Sequence, residues 1–510
     1  MGDSWPFTLI YQFIKPSSLD SILESSMNIN QLKNQHLWWR AGFGPPADRV
    51  KELSKQKPEA LFHSMLKVSG KKPDFFDVAD PQLKELVSQP MSVGKLQGLR
   101  PEEKQMIRKQ SVQDIAKLNL RWLDEMTNSD AQLLEKMSLF WHGHFASKTV
   151  NILYDQALLN VIREHALGNF RDLLMNVSKS ASMIQFLNNN QNRKSHPNEN
   201  FARELMELFT IGRGNYTEAD VKESARAFTG WGANLQGGFD FRPRQHDDGI
   251  KTFFGKTGNF SGEDILEILL AQKQTSVFIT RKIYRFFVNE IVDEEKTNVL
   301  ATQFFESGYD IRSLMISIFT SSWFYDRKNI GSQIKSPVLW LVGMRRQLPM
   351  EIQNPLVQIV LERLLGQVLF SPPNVAGWPG GKHWIDSSTL MLRMRLPQIV
   401  FRSDVIISKP KDDDDVMMGM RDQTLAKNIK RLRNPGSQFF QAKILWDEYI
   451  KNFKETQENA VYEVIQDLLL QKVSPVNENE MLLYIDESDR EKRIQSITIR
   501  LMGTPEYQLC

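Results

Sequence analysis

Apolar residues recur along nearly the whole chain at three- and four-residue intervals, and long alternating runs of β-branched residues are scarce. Residues 129–141 carry Leu133, Met137, Phe140 and Trp141 on one helical stripe behind a cap at Ser129. Residues 217–229 open on Thr217 and Asp220 in capping-box spacing, place Val221, Ala225 and Phe228 on one face, and stop at Gly230. Ser261 and Asp264 repeat the device before ILEILL. Further helical patterns occupy 198–211, 275–289, 295–307, 311–320, 332–347, 355–368, 386–400, 438–453 and 459–471. These spacings predict a mainly α protein: a multi-helical globular bundle with glycine- and aromatic-rich ordered loops and at most a small β-hairpin.

Three stretches interrupt the pattern. Residues 67–104, rich in proline and lysine, read as a mobile connection with one short helix. Residues 231–260 combine glycines with aromatic alternation, which suggests a hairpin or an ordered loop. Residues 408–436 hold KPKDDDDV and RLRNPGS, and the run Asp412–Asp415 reads as solvated charge rather than a cation site. The expected organisation is an N-terminal extension over 1–30, a helical core over 31–405, a flexible loop over 406–436, and C-terminal helices over 437–510 packing on the core. Structure reads more cleanly from Met27 onward, so the true start is expected there, with the upstream residues a mis-called extension or a loose arm.

Composition adds mainly exclusions. With 41% hydrophobic and 25% charged residues, the chain resembles an ordinary water-soluble globular protein. Its 64 basic and 61 acidic residues give a net charge of +3 without a dominant basic block, which disfavours a nucleic-acid binder. The single cysteine, Cys510, excludes an internal disulfide framework and any cysteine-built metal site. No apolar run reaches the roughly 18 residues a transmembrane helix needs. No recognisable signal peptide opens the chain, so the cytoplasm is the default compartment, with co-export beside a partner as the alternative.

Histidine placement points to candidate chemistry. Six of the eight histidines (His36, His142, His144, His196, His246 and His383) lie in patches rich in glycine, proline or tryptophan. In FWHGHF, His142 and His144 stand about 200° apart if the helix runs straight, and form a metal pair only if it ends at Gly143. In HPNENFARELMELF, Asn200, Arg203, Glu204 and Glu207 share one face. Acidic residues there suit a helix N-terminus, and Arg203 is placed to pair with Glu207. Glu204 and Glu207, three apart, also match how bundle helices offer carboxylates to metals. HDDG sets His246 and Asp247 on a glycine-rich loop, suited to a divalent ion or to a simple turn. GKTGNF lacks the spacing of a phosphate loop, and no G-x-S-x-G elbow is present. The stretch FSPPNVAGWPGGKHWIDSSTLMLR (370–393) offers Asn374, Trp378 and Trp384 as a platform for a sugar ring, or as a plug on the helical core.

Taken in order, HLWWRAGFGP, FWHGHFASK, HPNENFARELMELFTIGRGNYTEADVKESARAFTGW, HDDGIKTFFGKTGNFSGEDIL, KIYRFFV, IKSPVLWLVGMRR, PPNVAGWPGGKHWIDSSTL and the closing TPEYQLC closely resemble the bacterial family known as domain of unknown function 1800. The resemblance runs from about residue 36 to the end. It departs from the family at HGH, where an asparagine commonly separates the two histidines. No established reaction comes with it. What it implies is a partner: members are often encoded beside proteins of the domain of unknown function 1501 family, which resemble alkaline phosphatases and sulfatases and often carry twin-arginine export signals.

Two readings follow. In the first, the protein is a metal-assisted hydrolase or transferase acting on a polar substrate, a glycan or a phosphorylated compound. His142, His144, Glu204, His246 and Asp247 hold a divalent ion, His196 or Glu207 moves protons, Arg203 or Lys256 pairs an anionic group, and Asn374, Trp378 and Trp384 contact the substrate. In the second, it is a non-enzymatic helical partner whose polar patches are structural locks. Convergence of the named side chains in the folded chain separates the two.

Overall fold

A computed structural model describes residues 29–88, 100–234, 236–402, 442–471, 481 and 483–510. The extension before Met27, the run Asp412–Asp415 and the loop expected over 406–436 lie outside the described residues.

The chain is mainly helical. The helices that position the motifs are α1 (Ile29–Ala41), α2 (Pro101–Asn128), α3 (Gln132–His144), α4 (Ile152–His165), α5 (Asn200–Glu204), α6 (Glu218–Ala227), α7 (Lys273–Phe287), α8 (Glu294–Glu306), α9 (Ile311–Phe319), α10 (Pro337–Gln347), α11 (Ser387–Arg402), α12 (Val461–Leu469) and α13 (Arg490–Met502). The capping boxes at Thr217/Asp220 and Ser261/Asp264 both form, each side chain accepting from the other's backbone N–H. Ser129 does not cap α3 directly: its hydroxyl accepts from the Ala131 N–H, and the helix starts at Gln132.

Among the described residues, strand structure is confined to short two-stranded ribbons, in keeping with a mainly α chain. Three antiparallel ribbons of three residues per strand pair β1 (Trp231–Ala233) with β2 (Phe239–Phe241), β3 (Lys251–Phe253) with β4 (Lys256–Gly258), and β5 (Met350–Ile352) with β6 (Ala442–Ile444). Within the helix expected over 438–453, Ala442–Ile444 instead forms β6, because the backbone there pairs with the segment after α10, and helix follows only from Trp446. The expectation of a mobile connection fails at 74–80. Asn160 of α4 bonds the Phe76 N–H at 2.8 Å and its carbonyl at 2.9 Å, and the Arg163 guanidinium lies 3.8 Å from the Phe76 ring centre.

Among the described residues, the buried apolar side chains form two cores. The first gathers residues from Leu37 to Phe324; the second joins Trp39, Phe43 and the 118–126 part of α2 to α10, α11, α12 and α13. α1 and α3 stand between them. Leu37, Trp38 and Ala41 face the first core while Trp39 faces the second, and on α3 Met137 and Phe140 face one while Leu139 faces the other. Glu135 of α3 is fully buried with Arg163, their closest atoms 2.7 Å apart, and accepts from the Trp122 indole at 2.8 Å. Those bonds satisfy a charge pair that would otherwise be costly to bury.

Candidate functional site

The motif HPNENFARELMELF folds as α5 followed directly by a π-helical turn, Leu205–Thr210. Phe201 and Leu205 are buried in the first core. The wider turn sends the Ile211 N–H back to the Met206 carbonyl, five residues away. The Leu208 and Phe209 carbonyls take partners from outside the helix: Lys282 Nζ donates to Leu208 O at 2.9 Å, and His144 Nε2 donates to Phe209 O at 3.2 Å. Lys282 also donates to His144 Nδ1 at 3.1 Å, so His144 is the neutral tautomer with its proton on Nε2. Burial, then the Lys282 charge, holds its pKa well below the ordinary imidazole value. Burial likewise draws Lys282 down to about 8.

The helix carrying the H-G-H motif does not end at Gly143 but runs through to His144, so the two imidazoles face different cores. His142 accepts from the Phe370 N–H at 3.2 Å, with the rings of Trp122, Phe370 and Trp378 at 5.1, 5.0 and 5.6 Å. Burial alone pulls its pKa down to about 3. His142 therefore anchors the 370–393 loop. Gly377, at φ +79°, fits against Gly143 in that contact; a Cβ there would overlap the Gly143 carbonyl oxygen.

The HDDG loop is tied down in the same way. His246 Nδ1 donates to the Thr229 carbonyl at 2.8 Å. Asp247 takes the Arg226 guanidinium through both oxygens, at 2.7 and 3.2 Å, and that hydrogen-bonded charge holds its carboxyl below the usual range. Arg203 does not pair with Glu207. It forks onto Glu218 at 2.8 and 2.7 Å and reaches Glu199 at 3.1 Å. His196 and Lys256 are exposed. Asn374 caps its own turn by accepting the Ala376 N–H, Trp378 lies on His142, and Trp384 is buried.

The five expected metal ligands thus do not assemble into one set. Among the described residues, no three or more His, Cys, Asp or Glu side chains stand where they could hold a metal ion. The physical reason is that His142, His144, His246 and Asp247 each already serve a separate backbone or guanidinium partner.

What does come together is smaller. Glu204 and Glu207 lie half-buried on one face of the α5–π segment. The Tyr216 hydroxyl donates to Glu207 at 2.7 Å, and Arg213 approaches Glu207 at 3.8 Å. Glu204 has no hydrogen-bond partner among the described residues, and burial, then the Glu207 charge, raises its pKa. Tyr216, pushed up to about 12 by burial and Glu207, was not singled out by sequence reasoning, although GNYTEAD places it close behind the acidic helix.

Sequence reasoning also missed Asp155. This fully buried carboxyl accepts from Thr149 at 2.8 Å and Ser182 at 3.2 Å; Ser182 in turn bonds Ser147 at 2.8 Å, and the second Asp155 oxygen has no hydrogen-bond partner among the described residues. Burial pushes it up to about 7. The only signal in the sequence is the hydroxyl-rich FASKT directly after HGH.

No helix among the described residues is long and apolar enough to cross a membrane. No curated protein and no solved structure matches the chain. The family described as "Protein of unknown function (DUF1800)" matches residues 36–509, nearly the full length and every motif above, and the chain belongs to that family.

Proposed function

We propose that the protein acts as a non-enzymatic helical partner or escort of a phosphatase- or sulfatase-like protein of the domain of unknown function 1501 family. One observation carries this reading: the side chains that the sequence offers for chemistry are engaged, one by one, in architecture. His144 caps the π turn, His142 anchors the 370–393 loop, and Arg226 holds Asp247. Groups needed for turnover are usually held at a shared reacting point rather than in separate locks. The test is co-expression with a phosphatase-like protein of the domain of unknown function 1501 family, run beside metal analysis by plasma mass spectrometry. Co-elution as a stable complex, with no stoichiometric metal and a chelator-insensitive melting temperature, is the expected result. Near-stoichiometric zinc, manganese or iron that disappears in a His142→Ala/His144→Ala double variant would overturn it.

A second reading rests on the Glu204–Glu207 pair. Two neighbouring carboxyls in unlike environments, on a π-helical segment, suit acid–base chemistry on a polar substrate such as a glycan or phosphorylated compound. In that reading Glu204, whose pKa burial and the Glu207 charge raise, is the proton donor, and Glu207, bonded by the Tyr216 hydroxyl, is the acceptor. A hydrolase screen in which Glu204→Gln abolishes turnover while the fold is retained supports it; activity that survives the substitution removes it.

A further inference from the structure

Away from the motifs, α8, α9 and the turn Ser322–Tyr325 enclose an open cleft of about 480 Å³, within the usual range for small-molecule sites. Its apolar part is Val299, 56% exposed, together with Leu300 and the half-buried indole of Trp323. Tyr284 supports the indole, the two rings tilted by only 24° with centres 6.1 Å apart.

The polar lining is rich in acceptors. Thr320 donates its hydroxyl proton to the Ile316 carbonyl at 2.8 Å, and Ser321 donates to the Ser317 carbonyl at 2.5 Å. With those protons engaged, both hydroxyl oxygens keep lone pairs that can accept from a ligand in the cleft they line. The Gln303 amide and the Glu295 carboxylate, both exposed, complete the rim. The cation at the edge, Lys296, is already held by Asp293 at 2.5 Å and lies 5.9 Å from the Trp323 ring centre. A phosphorylated or carboxylated ligand would therefore meet a carboxylate and a cation already paired. The complementary ligand carries many hydroxyl donors and one apolar face.

We propose that this cleft binds a neutral saccharide, with Trp323 as the platform for the apolar face of a pyranose ring and Gln303, Glu295, Thr320 and Ser321 taking its hydroxyls. Aromatic rings with a polar periphery supply apolar area and orientation together. The site is independent of the Glu204–Glu207 face and of the partner reading.

The test is calorimetric titration of the full-length protein with cello-, chito-, malto- and laminari-oligosaccharides. One of these classes is expected to bind at millimolar concentration or tighter, and Trp323→Ala and Gln303→Ala are each expected to weaken it about tenfold or more. Because Trp323 also packs on Tyr284, a fold defect in that variant is controlled by Gln303→Ala and Glu295→Ala, both at exposed positions. Failure of all four saccharide classes to bind at millimolar concentration overturns the proposal. So does binding that Gln303→Ala and Glu295→Ala leave unchanged.

Discussion

Asp155 shows what burial does to a single carboxyl. Its folded pKa, raised to about 7 from an ordinary 3.8, means that the unfolded chain releases the proton first as pH rises. The protein therefore loses stability between about pH 4 and 7, and the penalty is complete above that window. Asp155→Asn is expected to gain up to a few kcal/mol over the parent at pH 8 and nothing at pH 3.5, as read by urea denaturation at the two values. His144 makes an opposite case: removing it strips the Phe209 carbonyl of its donor and Lys282 of an acceptor. His144→Ala should cost about 2–4 kcal/mol of unfolding free energy, and chelator added to the parent should not reproduce the loss. The Glu204–Glu207 face was legible from the sequence, since three-residue spacing on a helix is a local fact. Arg203 was misread because its stronger acceptor, Glu218, lies on the next helix, where two good hydrogen bonds outweigh one at i+4. Asp155 was illegible because Ser182, one of its donors, lies 27 residues away.

The elements divide along the same line between local and distant causes. Both capping boxes could be read directly, as each needs only a hydroxyl and a carboxylate three residues apart. Thr217→Ala is expected to cost about 1 kcal/mol, measurable as a small shift in denaturation midpoint at unchanged slope. The π turn at 205–210 could not be read. Its unpaired carbonyls are tolerable only because Lys282 and His144 arrive from α7 and α3 to serve them. The 370–393 loop was legible as ordered, but its anchor was not, since the sequence gives no sign that Gly377 sits on Gly143. Gly377→Ala combines an unfavourable φ with overlap at that carbonyl, so it should free the loop and expose the bonds near Trp378 to limited proteolysis. A loop as protease-resistant as the parent's would contradict that anchoring.

At the scale of the molecule, α1 and α3 contribute to both cores, so neither core can be lost without disturbing the other. Scanning calorimetry should accordingly show one dominant unfolding transition, and two well-separated peaks would argue that the cores are independent. A mainly helical bundle was legible from apolar spacing; the division into two cores was not, because the second is assembled from the two ends of the sequence around the first. That arrangement also sets an order on biosynthesis. Every buried apolar residue of the first core has been synthesised once Phe324 has emerged, whereas Trp39, Phe43 and Trp122 wait for α10 through α13. At ordinary translation speed the remaining residues take roughly ten to forty seconds. Through that interval a patch of large aromatic side chains faces water beside the ribosome, and the protein is expected to depend on a holdase chaperone during synthesis far more than once it is finished.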